Sequence, residues 1–196
     1  MVVQIAQKQT ARGPTARKQF TVAEYARMHE VGIFAEDERL ELLDGEVCEM
    51  SPVGSIHAAI VNRLTVFLSR SIGDSAIVSV QNPIRLDNWS EPQPDIALLT
   101  YRDDFYAHAL PGADDVLLVI EVSDTSLAYD RDEKLPRYAA AGIPEVWIVD
   151  VAHDRVEQYT QPRGNNYRMK LLVERGESVV VQHVAGVQIE VEQVFG

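Results

Sequence analysis

Hydrophobic and polar positions in the middle of the chain predict a strand, a helix and a second strand. Residues 116–120 form an apolar run that continues directly into an acid, Glu121. After a polar turn, Asp130 and Lys134 stand at helical spacing, and residues 146–149 form a second apolar run. This order is typical of two parallel strands that a helix joins at the centre of a sheet.

Pro136 interrupts the predicted helix of this unit. Proline has no backbone N–H to donate, and its ring clashes with the carbonyl of the preceding helical turn. The helix is therefore expected either to bend at Pro136 or to begin its regular part later than Asp130.

The N-terminal part of the chain predicts a short helix followed by a hairpin. Thr21 and Glu24 match the capping box that begins many helices, and this helix is expected to run to about His29. Residues 39–50 contain two short apolar runs around Asp44-Gly45, a dipeptide that is typical of two-residue hairpin turns. The hairpin is therefore expected to precede the main sheet.

One amphipathic helix and two strands are predicted between the hairpin and the central unit. Apolar residues recur at helical spacing over residues 55–72, and Gly73 follows the last of them. Residues 77–86 alternate as a strand, with Pro83 at an edge or a bulge, and residues 95–99 form a short apolar strand. The predicted order is therefore hairpin, helix, three strands, helix and strand.

The remaining C-terminal residues predict further short strands. Residues 155–160 and 167–173 flank Gly164-Asn165-Asn166, which predicts another hairpin, and residues 179–181 and 187–191 are two more apolar runs. We therefore expect a single α/β domain with a mixed central sheet flanked by helices, an N-terminal hairpin and a β-rich C-terminal extension.

Composition fits one globular domain that does not enter membranes. The chain has 196 residues, of which 46% are hydrophobic, and this is enough for one core. No apolar stretch of the sequence is long enough to cross a bilayer. The single cysteine, Cys48, cannot form an internal disulfide and fits a reducing compartment, so we expect a cytoplasmic protein.

Charge is spread unevenly along this acidic chain. The net charge is −12, yet the first 23 residues contain no acid and four basic residues, which are Lys8, Arg12, Arg17 and Lys18. We expect residues 1–18 to form a flexible basic arm and residues 19–196 to form the single domain. An acidic domain argues against sequence-blind binding of nucleic acid. It does not exclude a nuclease, because the carboxylates that bind metal are themselves acidic.

Two acids fall where predicted neighbouring strands end. Asp95 follows Pro94, and Glu121 follows an apolar run. Adjacent strands bring such residues to one edge of a sheet, where α/β folds place ligand sites. Two close carboxylates repel each other when both are ionised, and a buried acid needs a partner. A Mg²⁺ ion relieves this repulsion, since it takes one or two protein carboxylates plus water and substrate phosphate.

The order of these motifs resembles the PD-(D/E)XK nuclease superfamily, in which lysine usually stands two residues after the second acid. That position is Ser123 here. The chain is more similar to the Uma-two family of restriction-endonuclease-like proteins, over roughly residues 20–195. The shared motifs are Glu41-Leu42-Leu43-Asp44-Gly45-Glu46, Ser51-Pro52 with His57 after it, Pro94-Asp95, Glu121-Val122-Ser123, Asp130, Lys134, Tyr138 and Glu145-Val146-Trp147-Ile148-Val149-Asp150.

This resemblance implies a restriction-endonuclease-like αβββαβ core with added strands, a divalent-metal site and DNA as the substrate. It also implies that the lysine missing at Ser123 has moved to the following helix, where Lys134 is the matching residue. Asp95 and Glu121 would hold Mg²⁺ or Mn²⁺, and Glu41 would assist as a third ligand or through a water. Lys134 would orient the attacking water or neutralise developing charge.

Each of these residues also has a purely structural interpretation. Asp95 could cap a turn, and Glu41 could lie on a solvated hairpin face. Lys134 could be a helix-surface residue that pairs with Asp130. Tyr138 is expected to be a core aromatic residue.

Three further residues are weaker candidates for the site. His57 lies in the first turn of the amphipathic helix, where a polar residue more often supports the cap than catalysis. Ser123 is expected to form a hydrogen bond with the following turn. Asp130 lies four residues before Lys134, so both side chains can face the sheet edge that carries Glu121.

Two functions of different classes follow from these observations. The first is a metal-dependent endonuclease that hydrolyses phosphodiester bonds in DNA with Mg²⁺ or Mn²⁺. The second is a non-catalytic nuclease-fold module for binding or regulation, which Ser123 and the acidic composition favour. Exposed strands of the β-rich extension are expected to support a homodimer.

Overall fold

The computed structural model describes residues 17–196, so the predicted basic arm lies outside the described residues except for Arg17 and Lys18. The helices are α1 (Val22–Glu30), α2 (Ser55–Ile72), α3 (Leu127–Tyr129), α4 (Leu135–Ala140) and α5 (Val191–Phe195). The strands are β1 (Leu40–Leu43), β2 (Glu46–Glu49), β3 (Ala76–Val80), β4 (Ile96–Thr100), β5 (Val116–Ser123), β6 (Glu145–Asp150), β7 (Arg155–Arg163), β8 (Asn166–Val173), β9 (Ser178–Val180) and β10 (Gln188–Glu190). In this part of the chain, no helix combines the length and the apolar composition needed to cross a bilayer.

A six-stranded sheet in the order β3-β4-β5-β6-β7-β8 forms the centre of the domain. Within this sheet β5 and β6 run parallel, and the other neighbouring strands are antiparallel. The segment from α3 to α4 joins the parallel pair, and α2 precedes β3, which gives the αβββαβ order. The predicted α/β class, with a mixed central sheet flanked by helices, is confirmed.

Apolar layers cover both faces of the sheet. On one face, Leu64 of α2 shares a buried cluster with Ile120 of β5 and Trp147 of β6, and this cluster extends to β9, β10 and α5. On the other face, Tyr138 of α4 shares a cluster with Val146 of β6. Each fully buried side chain of this size stabilises the fold by about 1.5–3 kcal/mol, so the sheet is held firmly between the two layers.

The register of β4 against β5 brings two of the predicted site residues together. Ile96 lies opposite Ile120 in this antiparallel pair. The residues one step further along each strand, Asp95 and Glu121, therefore lie side by side where β4 begins and β5 ends. The two carboxylates share one edge of the sheet.

The predicted N-terminal helix and hairpin are confirmed. In the capping box of α1, the Glu24 N–H donates to Thr21 Oγ1 over 3.1 Å, and the Thr21 N–H donates to the Glu24 carboxylate over 2.8 Å. In the turn between β1 and β2, Asp44 and Gly45 have φ angles of 48° and 81°. Both residue types tolerate this left-handed conformation, which two-residue hairpin turns require.

A π-helical turn, Asp130–Lys134, lies between α3 and α4. Its wider spacing appears in the Leu135 N–H, which donates to the Asp130 carbonyl five residues earlier. Pro136 then occupies the first turn of α4, where its missing N–H costs no helical hydrogen bond. Of the two alternatives for this helix, the later start of its regular part is therefore correct.

Two predicted strands differ in extent from the structure. β3 ends at Val80, and Gln81 takes a left-handed φ of 51°, so Pro83 lies outside the strand. The apolar run over residues 187–191 forms the short strand β10 and then begins α5. A helix of five residues is too short to give a clear helical pattern in the sequence.

A buried ionic cluster fastens the π-helical turn to β6 and β7. Arg131 donates to both oxygens of Glu157, from Nε over 2.9 Å and from Nη2 over 2.6 Å. Nη2 also lies 3.3 Å from Asp150, and Lys170 Nζ lies 3.1 Å from Glu157. Burial raises the pKa of Glu157, but hydrogen bonds from Arg131, Tyr159 and Lys170 outweigh burial and lower this pKa to about 2. Glu157 is therefore ionised throughout the neutral range.

Glu157→Gln tests the contribution of this cluster to stability. An acid whose pKa is lowered in the folded state stabilises the protein above the unfolded pKa, and this stabilisation is lost as the pH falls toward the folded pKa. We expect Glu157→Gln to lower the free energy of unfolding at pH 7, and the difference from wild type to shrink by roughly 2 kcal/mol at pH 3. Urea denaturation at both pH values measures the difference, and an equal difference at pH 7 and pH 3 would contradict this assignment.

Candidate active site

A cavity of about 350 Å³ lies at the sheet edge where β4 begins and β5 ends. Its walls come from β1, the loop before α2, the first turn of α2, the turn after β5 and the π-helical turn. Six of the seven predicted site residues line it, namely Glu41, His57, Asp95, Glu121, Asp130 and Lys134.

Asp95 is anchored through one carboxylate oxygen. Oδ2 accepts hydrogen bonds from the Val122 N–H over 2.9 Å and from His57 Nε2 over 3.0 Å. Oδ1 has only a long contact of 3.4 Å with Gln81 Nε2 and so keeps acceptor capacity. Burial raises the pKa of Asp95, but the hydrogen bond and charge of His57 outweigh burial and keep this pKa below its usual value. Asp95 is therefore ionised at neutral pH.

Glu121 is likewise anchored through one carboxylate oxygen. Its Oε1 accepts a hydrogen bond from the Tyr138 hydroxyl over 2.6 Å and lies 3.0 Å from Lys134 Nζ. Its Oε2 has only a long contact of 3.4 Å with the Asp95 N–H. Burial raises the pKa of Glu121 to about 8, against the opposing charge of Lys134. A cation placed beside Oε2 would favour the ionised form.

Lys134 brings a buried ammonium group between two acids. Its side chain is 4% exposed, and Nζ lies 3.0 Å from Glu121 and 3.2 Å from Glu41. Burial lowers the pKa of Lys134, but the charges of Glu121 and Glu41 outweigh burial and raise it above the usual lysine value. The ammonium therefore stays protonated, and Lys134 is not a helix-surface residue.

Glu41 reaches the site from the hairpin and faces inward. Leu42 exchanges backbone hydrogen bonds with Glu91, which fixes β1 against the loop before β4. The Glu41 side chain is 1% exposed, and both of its oxygens accept hydrogen bonds. Oε1 accepts from the Tyr129 hydroxyl over 3.1 Å, and Oε2 accepts from the Gln93 N–H over 3.1 Å and faces Lys134. Glu41 thus supports Lys134 from the side opposite Glu121.

Ser123 contacts the crossover segment instead of the cavity. Its hydroxyl donates to Asp130 Oδ2 over 2.6 Å, and the Ser126 hydroxyl donates to the same oxygen over 2.6 Å. Burial raises the pKa of Asp130. Ser123 therefore fastens the π-helical turn, while the ammonium beside Glu121 comes from Lys134 in that turn.

His57 contributes more to the site than its sequence position predicted. It lies in the first turn of α2 and bonds Asp95 through Nε2, so Nε2 carries the proton toward the carboxylate. Its Nδ1 is buried and has no hydrogen-bond partner among residues 17–196. The hydrogen bond to Asp95 raises the pKa of His57.

Tyr138 and Tyr129 are site residues that sequence reasoning missed. The Tyr138 ring lies in the core as predicted, but its hydroxyl binds Glu121, and Tyr129 binds Glu41. Tyr138 lies four residues after Lys134, which indicates that both share a helix face but does not identify Glu121 as the partner of the hydroxyl.

The side chains of the cavity suit a hard divalent cation. Six carboxylates line it, against two basic side chains, Arg39 and Lys134. Within the described part of the chain, no group of three His, Cys, Asp or Glu side chains forms a ready-made metal cluster. Mg²⁺ needs only one or two protein carboxylates, because waters and substrate phosphate complete its shell. Asp95 Oδ1 and Glu121 Oε2 retain the acceptor capacity for this role.

Comparisons with known proteins bear on the whole domain. The sequence profile of a family, Uma2, described as “Putative restriction endonuclease”, matches residues 22–192. A crystal structure described as a “putative nuclease belonging to DUF820” from Anabaena variabilis ATCC 29413 is similar, with a TM-score of 0.71. The two chains are 14% identical, over 90% of this chain and 97% of the other, so this likeness shows a shared fold. No curated protein matches this chain significantly.

Lys134→Met tests whether the buried ammonium holds the site together. Removing one partner of a buried ion pair leaves uncompensated charge, which costs about 3–5 kcal/mol. We expect a loss of unfolding free energy of this size. Lys18→Met is the matched control, because Lys18 is 62% exposed and its ion pair with Glu24 is solvated; its effect should stay within about 1 kcal/mol. Equal losses for both variants in chemical denaturation would contradict the role given to Lys134.

Proposed function

The chain belongs to the Uma2 family of restriction-endonuclease-like proteins, and on this premise we propose that it is a nuclease that hydrolyses phosphodiester bonds in DNA with Mg²⁺ or Mn²⁺. The family description and the fold support a nuclease function. The metal, the DNA substrate and the roles of the individual residues are our proposal.

One observation carries this proposal. Asp95 and Glu121 come from neighbouring strands, and in each carboxylate one oxygen is saturated by protein donors while the other is left with a long contact. Structural acids usually have both oxygens satisfied when they are buried. Two available oxygens at one end of a cavity form the partial shell that Mg²⁺ or Mn²⁺ completes with water and phosphate.

The side chains divide into groups that would hold the cation and groups that would position the reactants. Asp95 and Glu121 are the proposed metal ligands. When bound, the cation would offset the negative charge of the phosphate and make a water more acidic. Lys134 would keep its positive charge beside the reacting phosphate and orient the attacking water. Glu41 would position Lys134, because both Glu41 oxygens already accept hydrogen bonds.

The acidity of the cavity supports the proposed role of a cation in binding a phosphate substrate. Six carboxylates in the lining repel a phosphodiester unless positive charge is added. The basic arm predicted at residues 1–18 would supply further contacts to the DNA backbone in this proposal. The proposal also includes a cytoplasmic location, as expected for a chain with the single cysteine Cys48.

A second candidate function is a non-catalytic nuclease-fold module that binds or regulates. Two observations favour it. Ser123 stands where the PD-(D/E)XK pattern has lysine, and its hydroxyl donates a hydrogen bond to Asp130. The ammonium of Lys134 is also fully committed to Glu41 and Glu121 in this structure. A homodimer is compatible with either function and is part of the proposal.

DNA cleavage with Mg²⁺ tests the catalytic proposal. Asp95→Asn and Glu121→Gln keep the size of each side chain but remove the charge that would hold the cation. We expect both variants to lose activity by about 100-fold or more, because several kcal/mol of charge stabilisation in the transition state is lost. Glu46→Gln is the control, since the Glu46 side chain is 57% exposed on the hairpin surface; its rate should equal that of wild type. Unfolding curves verify that each variant is folded, and equal rates in all four proteins would remove Asp95 and Glu121 from the mechanism.

Calorimetric titration with Mn²⁺ separates the two candidate functions without a substrate. The nuclease proposal predicts saturable binding by wild type and a loss of affinity of about tenfold or more in Asp95→Asn. Glu46→Gln should bind as wild type does. Absence of Mn²⁺ binding by folded wild-type protein at millimolar concentration would favour the non-catalytic module.

A further inference from the structure

β8 is the outermost strand of the central sheet and has one free edge. It pairs with β7 on its inner side, in a register that runs from Val156 opposite Val173 to Arg163 opposite Asn166. Within residues 17–196, no strand or isolated bridge pairs with its outer side. The outer N–H and C=O groups of an eight-residue strand are therefore available to another chain.

Large apolar side chains accompany this free edge. Met169 is 54% exposed and Leu171 is 56% exposed, and both alternate with Val173 on one face of the strand. We call the exposed side chains of Met169 and Leu171 on this face of the strand the β8 patch.

The usual protection of an edge strand is weak here. Natural edge strands carry prolines, bulges or charged side chains, especially lysine, that prevent pairing. β8 contains no proline, and its register with β7 is regular from Val173 to Met169. Of its two charged residues, Arg168 and Lys170, the second already faces Glu157 of the same chain at 3.1 Å. A regular edge with large exposed apolar side chains and only two charged residues is a candidate interface.

We propose that two copies of this chain form a dimer by antiparallel pairing of β8 with β8, with Leu171 opposite Leu171 of the partner subunit. In this register Met169 lies opposite Val173 of the partner subunit, so every pair on the patch face is apolar. On the other face, Lys170 lies opposite Leu172 of the partner subunit. Arg168 lies opposite Glu174 of the partner subunit, the residue that directly follows β8, and this contact occurs twice, giving two ion pairs. The strand is therefore complementary to itself in both apolar and charged positions.

Two of the other registers match less well. A shift that places Lys170 opposite Lys170 of the partner subunit brings like charges together, which is destabilising. A shift that centres on Met169 places Arg168 opposite Lys170 of the partner subunit, with the same consequence. The protein carries a net charge of −12, so two copies repel each other at a distance and the contact must supply specific complementarity.

This pairing leaves the two candidate active sites independent. The two-fold axis of an antiparallel strand pair is perpendicular to the sheet, so the two copies of β5 point in opposite directions. The two cavities then lie at opposite ends of the joined sheet, and each is lined by residues of one chain. The dimer is therefore not required for cleavage, and its test does not depend on the proposed nuclease function.

Disulfide trapping tests the register of the β8–β8 pairing directly. In a Cys48→Ser background, Leu171→Cys is expected to give a disulfide-linked dimer on mild oxidation, because the two Cβ atoms face each other across the axis. Lys170→Cys and Met169→Cys are the matched controls and should remain mostly monomeric on non-reducing gels. Dominant cross-linking at either control position would overturn the proposed pairing. Absence of cross-linking at all three positions would overturn it as well.

Light scattering gives an independent readout. Wild-type protein is expected to have twice the mass of one chain, and Leu171→Arg is expected to have the mass of one chain. A cooperative unfolding transition verifies that the variant is folded, at a stability lower than that of wild type because the dimer contact is lost. A monomeric wild type, or a Leu171→Arg variant that stays dimeric, would overturn the proposal. The free edge of β8 would then face solvent or bind a different protein.

Discussion

Lys134 carries a positive charge into an almost fully buried position, and the candidate site is arranged around it. Its side chain is 4% exposed, and removing an ammonium from water costs several kcal/mol unless other groups replace the lost hydration. Glu41 from the hairpin and Glu121 from β5 provide that replacement. Because each acid in turn needs the ammonium, the hairpin, the sheet and the crossover segment are held in one arrangement.

The π-helical turn is the backbone feature that delivers Lys134 to this position. Three of its side chains are fastened to different parts of the sheet. Asp130 accepts from Ser123 at the end of β5, Arg131 binds Glu157 on β7, and Lys134 enters the cavity. A turn fixed at several points holds its charges in place before a substrate arrives, which is the condition under which electrostatic stabilisation is most effective.

Local signals made much of this molecule predictable from its sequence. The capping box, the hairpin turn and the apolar runs each depend on neighbouring residues, and the acids Asp95 and Glu121 could be found because both stand at strand ends. The contacts of His57 and Tyr138 could not be found in this way. His57 binds an acid 38 residues away in the sequence. Helical periodicity predicts that the Tyr138 ring is buried in the core, but it does not identify the partner of the Tyr138 hydroxyl. The assignment of Lys134 depended on family resemblance, because a π-helical turn lacks the regular spacing that pattern analysis uses.

Asp95 and Glu121 each keep one carboxylate oxygen available, and anomalous diffraction from a crystal soaked in Mn²⁺ tests that arrangement most directly. We expect one strong anomalous peak within coordination distance of Asp95 Oδ1 and Glu121 Oε2, with Lys134 still close to Glu121. An ordered site without a peak, or a manganese ion bound elsewhere in the cavity, would contradict the assignment of these two acids as metal ligands.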